Sequence, residues 1–231
     1  MPSLLKILHF VCSALATAVS VVVLGYGMST WWAQTTIQCA RSESDFFNGT
    51  AVITFNLFKG LMERSLCPSF GNTESFEVIP KLRETGTTNL VLYALVVSLL
   101  ALCLLFSAVS ILISLYNAVS NPYETYMGPI GVYTCSSLCV CLSVVALIIY
   151  VVNINVTSMA EDLVRSFAQD IPIELRDKTS VMGVGFYLII PYAVLSVGAI
   201  ALIYSYEHAA YTHRREQQRP TEDAPKEIMM Y

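Results

Sequence analysis

The sequence predicts an all-α membrane protein: a bundle of four transmembrane helices with a small extracellular β-sheet in the first loop. Three observations carry this. Of the 231 residues, 55% are hydrophobic and only 13% charged, about half the charged fraction of an ordinary soluble domain. The charges are confined to a few segments: no Asp, Glu, Lys or Arg occurs from Ile7 to Ala40, Thr85 to Tyr123, Thr125 to Ala160 or Thr179 to Tyr206. Each gap holds the roughly 20 apolar residues that a spanning helix needs.

The expected spans are 7–28, 90–117, 128–152 and 184–206. They leave outer loops at 29–89 and 153–183 and an inner tail at 207–231, within one four-span membrane domain over 1–231. The first span follows Lys6 as a secretory signal would, but its apolar run extends to Leu24 without a clear cleavage site, which favours an uncleaved helix. Orientation follows from two glycosylation sequons, Asn48-Gly49-Thr50 and Asn155-Val156-Thr157, which fall on the same side of a four-span chain. Arg214, Arg215, Arg219 and Lys226 follow the last span and Lys6 precedes the first. Basic residues favour the cytosolic side, so both termini are expected in the cytosol. The inner loop has no Lys or Arg to add to this.

In the first outer loop, Trp31-Trp32 are expected at the membrane surface, where amphipathic rings are favoured. Cys39 and Cys67 are the loop's two cysteines, and an exoplasmic compartment is oxidising, so they are expected to form a disulfide. Between them, Thr50 to Phe58 is rich in β-branched and aromatic residues and reads as a strand, with a partner around Trp32–Gln38. In the second loop, Ser158-Met159-Ala160-Glu161 has the form of a capping box. Met159, Leu163 and Phe167 then mark the apolar face of a helix that extends span three and packs on the first loop, with Pro172 ending it. The competing reading of that face is a partner-binding surface.

Within the membrane, Gly131, Cys135, Cys139 and Ser143 recur every four residues and are expected to let helix backbones approach closely. Ser107, Ser110, Ser114 and Asn117 form a polar stripe on span two, suited to interhelical hydrogen bonds of about 0.6 kcal/mol each. Pro191 is expected to kink span four. Cys135, Cys139 and Cys141 have neither the C-x-x-C spacing of a dithiol oxidoreductase nor a neighbouring His or carboxylate, so no metal site and no cofactor is expected. The spans hold no acid–base pair for catalysis and no ionisable relay beyond His9 at one edge, which speaks against an enzyme and a proton-coupled transporter. Without a basic stripe, nucleic acid is not an expected partner; membrane lipid, other membrane proteins and further copies of the chain are. Asn121-Pro122-Tyr123-Glu124 and Gly128-Pro129 read as an inner turn. The tail beyond Glu207 is polar and expected to be unstructured. It ends Ile228-Met229-Met230-Tyr231, and apolar Met229 and Tyr231 suit capture by a PDZ scaffold.

The inner segment Tyr116-Asn117, Ser120-Asn121-Pro122-Tyr123-Glu124-Thr125 and Gly128-Pro129-Ile130-Gly131-Val132-Tyr133 resembles the clarin pattern. So do the opening Met1-Pro2, Phe55-Asn56-Leu57-Phe58-Lys59-Gly60 and the apolar-plus-Tyr ending. The tail around Arg214–Pro220 and Ala224-Pro225 looks most like that of the third vertebrate paralogue. Clarins are similar to claudins, but this chain lacks the second Trp and close cysteine pair of the claudin W-G-L-W-C-C motif, which counts against tight-junction strands. The resemblance implies a non-enzymatic organiser of membrane assemblies at the plasma membrane, in sensory cells with a role in hearing or in epithelia. A claudin-like barrier or pore, with Glu63, Arg64 and Glu74 setting ion preference, and an auxiliary channel or receptor subunit are the alternatives.

Overall fold

A computed structural model describes residues 4–41, 49–67, 72–120, 128–168 and 173–217. Four helices are long and apolar enough to cross a membrane. They are α1 (Leu4–Ser29), α3 (Thr87–Val119), α4 (Pro129–Asn155) and the pair α6 (Val184–Tyr187) and α7 (Ile189–Gln217). Each expected span is present and slightly longer than its apolar run. Pro129 begins α4 at a position where a missing N–H costs nothing.

The fourth span breaks between α6 and α7, at Leu188. Pro191 has no N–H to offer the Tyr187 carbonyl, and its ring crowds that oxygen, so the interruption falls one turn before the proline. At the inner end the helix continues to Gln217, past the point where the sequence suggested an unstructured tail. Glu207 to Gln217 contains no Gly or Pro and suits a helix.

The buried positions alternate by three and four along all four spans. On α3 they are Asn89, Tyr93, Val96, Leu100, Cys103, Ser107, Ser110, Ser114 and Asn117. On α4 they include Val132, Ser136, Cys139, Ser143, Ala146, Tyr150 and Asn153. On α1 they run Phe10, Ser13, Thr17, Ser20, Leu24, Gly27, and on α7 Ile189, Tyr192, Ser196, Ala199, Ile203. A mean spacing of 3.5 is the seam of a left-handed supercoil, and its small side chains permit close packing where lipid supplies no hydrophobic drive.

At the end of the bundle away from the two termini, the outer side of the expected orientation, five antiparallel strands form one sheet in the order β4-β3-β2-β1-β5. They are β1 (Trp31–Arg41), β2 (Gly49–Asn56), β3 (Lys59–Ser65), β4 (Asn72–Glu77) and β5 (Ile173–Met182). The two strands expected from the sequence are β1 and β2. β5 comes from the second outer loop, so both loops build the same sheet. Helices α2 (Val78–Thr85) and α5 (Met159–Phe167) complete the outer layer.

Trp32 joins sheet to bundle. It is an extra residue in β1, since Trp31 faces Asn56 while Ala33 faces Phe55. Such a bulge turns two successive side chains to one side, and Trp32 and Ala33 are both buried. The indole therefore lies inside the protein and not at the lipid surface expected of it; Trp31 stays partly exposed. Trp32 Nε1 donates to the Gly27 carbonyl at 2.8 Å, and the indole meets the Tyr150 ring edge-on at 5.0 Å. The backbone N–H of Gly183 donates to the Trp32 carbonyl at 2.7 Å. At Gly185 a methyl group would stand 2.6 Å from both the Gly27 carbonyl oxygen and the indole. Gly185→Ala is therefore expected to destabilise the protein by about 1–3 kcal/mol through overpacking, read as a lower melting temperature in detergent; an unchanged melting temperature would contradict this packing.

Candidate functional site

The outer cap holds the surface with the most chemistry to offer. Cys39 and Cys67 form a disulfide with Cα atoms 5.9 Å apart, as the sequence predicts. It links the end of β1 to the residues after β3 and passes over β2 at Gly49, the residue paired with Cys39. A Cβ at Gly49 would lie 2.9 Å from Cys39 Sγ and 2.5 Å from the Leu66 carbonyl oxygen. Leu66 has φ 61, a left-handed conformation that costs a non-glycine residue about 1–2 kcal/mol. Its side chain is nevertheless 47% exposed, so packing does not demand a leucine there.

The face of the sheet turned away from the core carries rows of mainly Thr, Gln and Ser across the strands, with Val52, Val181, Leu61 and Glu63 among them. One row is Thr179, Thr36, Val52, Glu63 and Thr73; the next is Val181, Gln34, Thr54, Leu61 and Ser75. All are exposed or half-exposed. The free edge at β5 is bent by a second bulge: Asp177 and Lys178 together face Ile37, and Asp177 has φ 52. Bulges and charges on an edge discourage strand addition.

The opposite face is pinned by Arg64, itself only 7% exposed. Its Nη2 meets Glu74 Oε1 at 2.7 Å and its Nη1 donates to the Phe167 carbonyl at 2.9 Å. The Phe167 ring packs against Phe76 at 5.4 Å, with Lys81 Nζ 4.5 Å from its centroid. Thus α5 packs onto the first loop, and its apolar Met159 and Leu163 are buried rather than offered to a partner. The capping box does not form. Ser158 has φ −81 and ψ 19, outside the extended geometry a cap requires; its hydroxyl donates to Asp162 at 2.8 Å, while Glu161 pairs with Lys178 at 3.2 Å. Lys178 also donates to the Thr157 carbonyl, tying β5 to the end of α4. Asn155 is exposed at that end; Asn48, Met229, Tyr231, Pro172 and the inner turn at 121–127 lie outside the described residues.

The expected ridge on α4 is split. Cys139 and Ser143 lie in the buried seam, but Gly131 and Cys135 are half-exposed, and Val132 and Ser136 take the inward positions. A strict four-residue repeat rotates about 40° per step away from a fixed face, whereas the seam alternates four with three. Span two's stripe is inward throughout. Ser107 Oγ lies 3.0 Å from Tyr192 OH on α7, and Ser110 Oγ 3.4 Å from Ser136 Oγ. Asn117 bonds back to the Ile113 carbonyl, and Ser114 Oγ is buried without a hydrogen-bond partner. The Cys103 and Cys139 thiols each donate to the other's backbone carbonyl, at 3.6 and 3.5 Å. This is packing chemistry, and among the described residues no His, Cys, Asp and Glu group could hold a metal.

A four-span bundle capped by a five-stranded sheet from both outer loops is claudin-like. A family model described as Clarin-2-like matches residues 3–172, covering α1 through α5 and all of the first loop.

The chain belongs to the clarin family.

It is 30% identical to Clarin-3 of Mus musculus over the full length of both chains. The Clarin-3 proteins of Homo sapiens and Rattus norvegicus match equally, at 30% across full length. As a clarin it is a multi-pass membrane protein, and the likeness extends beyond the family model through β5 and α7.

Two outcomes test the clarin cap. Cys39→Ser is expected to cost about 3–4 kcal/mol from the loop it releases, whereas Leu66→Gly should stabilise by about 1 kcal/mol by relieving the left-handed backbone; chemical denaturation of both variants would check the signs. Arg64→Ala should destabilise by about 2 kcal/mol through its two charge-assisted hydrogen bonds, and Glu74→Gln by less because Glu74 is 40% exposed. Equal losses in the two variants would contradict that division.

Proposed function

We propose that this clarin is a non-enzymatic organiser of plasma-membrane assemblies, with both termini cytosolic and the disulfide-pinned cap outside. The observation that carries the reading is the outer sheet face. Its rows of Thr, Gln and Ser around Val52 and Leu61 form a rigid surface of mixed polarity, suited to contact with another protein's extracellular part. Glycans on Asn48 and Asn155 belong to this orientation. The tail carrying Met229 and Tyr231 would reach a cytosolic PDZ scaffold, linking the assembly to the cell interior. Service in sensory cells, including hearing, is the extension that family resemblance suggests.

The barrier reading draws less support. It needs unpaired loop charges, yet Arg64 is buried and both Arg64 and Glu74 are spent on each other, leaving exposed Glu63 of the three. Expression of the tagged protein in cells without tight-junction strands separates the readings. The organiser predicts uniform or protrusion staining with unchanged paracellular conductance, and scaffold co-precipitation that is lost when one residue is added after Tyr231. Enrichment at cell contacts with ion-selective conductance would overturn it in favour of a barrier.

A further inference from the structure

The turn between β2 and β3 stands on the bilayer side of the sheet. β1 follows α1 almost directly, and its first residue, Trp31, is paired with Asn56, the last residue of β2. Leu57 and Phe58, which join β2 to β3, therefore lie beyond the start of β1. The second span sets the same height. Tyr93 OH on α3 donates to the Asn56 carbonyl at 3.1 Å, and the apolar run of α3 begins at Leu90, three residues earlier. The turn is thus level with the start of the hydrocarbon-crossing stretch.

Its side chains divide. Leu57 is fully buried, Phe58 is 49% exposed, and Lys59 is exposed beside it. The Val78 N–H donates to the Phe58 carbonyl at 3.0 Å, which sets Ile79, also exposed, at the same corner. With the Asn56 and Phe58 carbonyls both satisfied inside the protein, the turn can meet an apolar medium without the cost of leaving them unpaired.

The surrounding surface identifies the occupant. Exposed Tyr26 in the last turn of α1, Trp31 and Tyr187 in α6 lie at this end of the first and fourth spans, where amphipathic rings meet lipid headgroups. At the corresponding ends of α3 and α4, Tyr93 and Tyr150 are turned into the core. Among the described residues, neither of these two spans offers its own ring to the lipid there, and Phe58 stands above α3 in that place. Lys59 faces Glu77 across the β3–β4 ladder, so this pair carries no net charge and suits a zwitterionic surface.

We propose that the β2–β3 turn docks on the adjoining phosphatidylcholine leaflet. Phe58 and Ile79 enter the boundary between headgroups and acyl chains, and the Lys59 stem lies along that boundary with its ammonium at the headgroup phosphates. The inference concerns the height of the turn and not the side of the cell it faces, so it stands or falls apart from the organiser reading.

The test uses the full chain in phosphatidylcholine nanodiscs holding one copy each. Trp31→Phe leaves fully buried Trp32 as the background emitter. Adding Phe58→Trp, or Ile79→Trp as a second probe, reports the corner; adding Thr50→Trp, exposed at the far end of β2, reports the aqueous side. A nitroxide near the top of the lipid acyl chain is expected to quench both corner probes beyond the background, with a smaller loss from a nitroxide near the chain's end. Aqueous iodide is expected to quench the Thr50→Trp probe alone. Iodide quenching of the corner probes equal to that of Thr50→Trp would overturn the proposal by placing the turn in water. Protection from iodide that requires discs holding two copies would overturn it in favour of a second copy of the chain. Quenching of the corner probes by neither agent would also overturn it, assigning the corner to a contact within the protein.

Discussion

The contact of Trp32 with Gly27 and Gly185 is the constraint from which the outer architecture follows. A sheet and a helical bundle have no common repeat, and their junction buries backbone polar groups that must be satisfied. Here one indole N–H satisfies the Gly27 carbonyl near the end of α1, and the Trp32 carbonyl is satisfied by Gly183 before α6. Gly185 admits the ring, and Tyr150, Tyr93 and Phe186 build an aromatic layer around it. Tyr93 OH then reaches the Asn56 carbonyl at 3.1 Å, fixing β2 above α3. The bulge at Trp32 is thus less an irregularity of β1 than the device that ties the first and fourth spans to the same point.

Below that layer the bundle is held differently. Its seam is rich in Ser, Thr, Cys and Ala, and its hydrogen bonds join different helices: Ser107 to Tyr192, Ser110 to Ser136, Ser13 to the Ala199 carbonyl. At the inner end a separate apolar layer of Phe10, Ala118, Val132 and Ile203 closes the core. Lys6 on the Ser120 carbonyl places a cation at the C-terminus of α3, where the helix dipole favours it.

Much of this was legible in the sequence, for identifiable reasons. Spans reveal themselves because a charge in lipid is costly over a whole helix length, so the charge-free gaps mark them directly. The Cys39–Cys67 bridge was legible because the loop holds two cysteines, and β2 because Thr50 to Phe55 is dense in β-branched residues. The strand β5 was not: Ile173-Glu174-Leu175-Arg176 alternates for only four residues before Asp177-Lys178-Thr179-Ser180 breaks the pattern, and it is a strand because β1 offers it an edge. Trp32 was placed at the lipid surface because sequence shows an aromatic near a span's end but not the bulge that turns it inward. On α4 small residues show in the sequence, while the inward angle depends on the neighbouring helices, which leave Cys139 and Ser143 inward and Gly131 and Cys135 half-exposed. The serine stripe of α3 already has the alternating spacing of the seam, and Ser107 and Ser110 bond across to neighbouring helices while Asn117 bonds within its own.

The pairing of β1 with β5 also orders events in time. Residues 33–41 must find residues 173–182, which leave the ribosome only after two further spans. While the first three spans are being inserted, β1 has β2 on one side and an open edge on the other. Until the second loop follows the third span, the nascent cap is therefore a four-stranded sheet with a vacant position at its side. Only a chain that has placed its third span and carried the second loop across to the same side can close that edge, so completion of the sheet is tied to the threading of the spans.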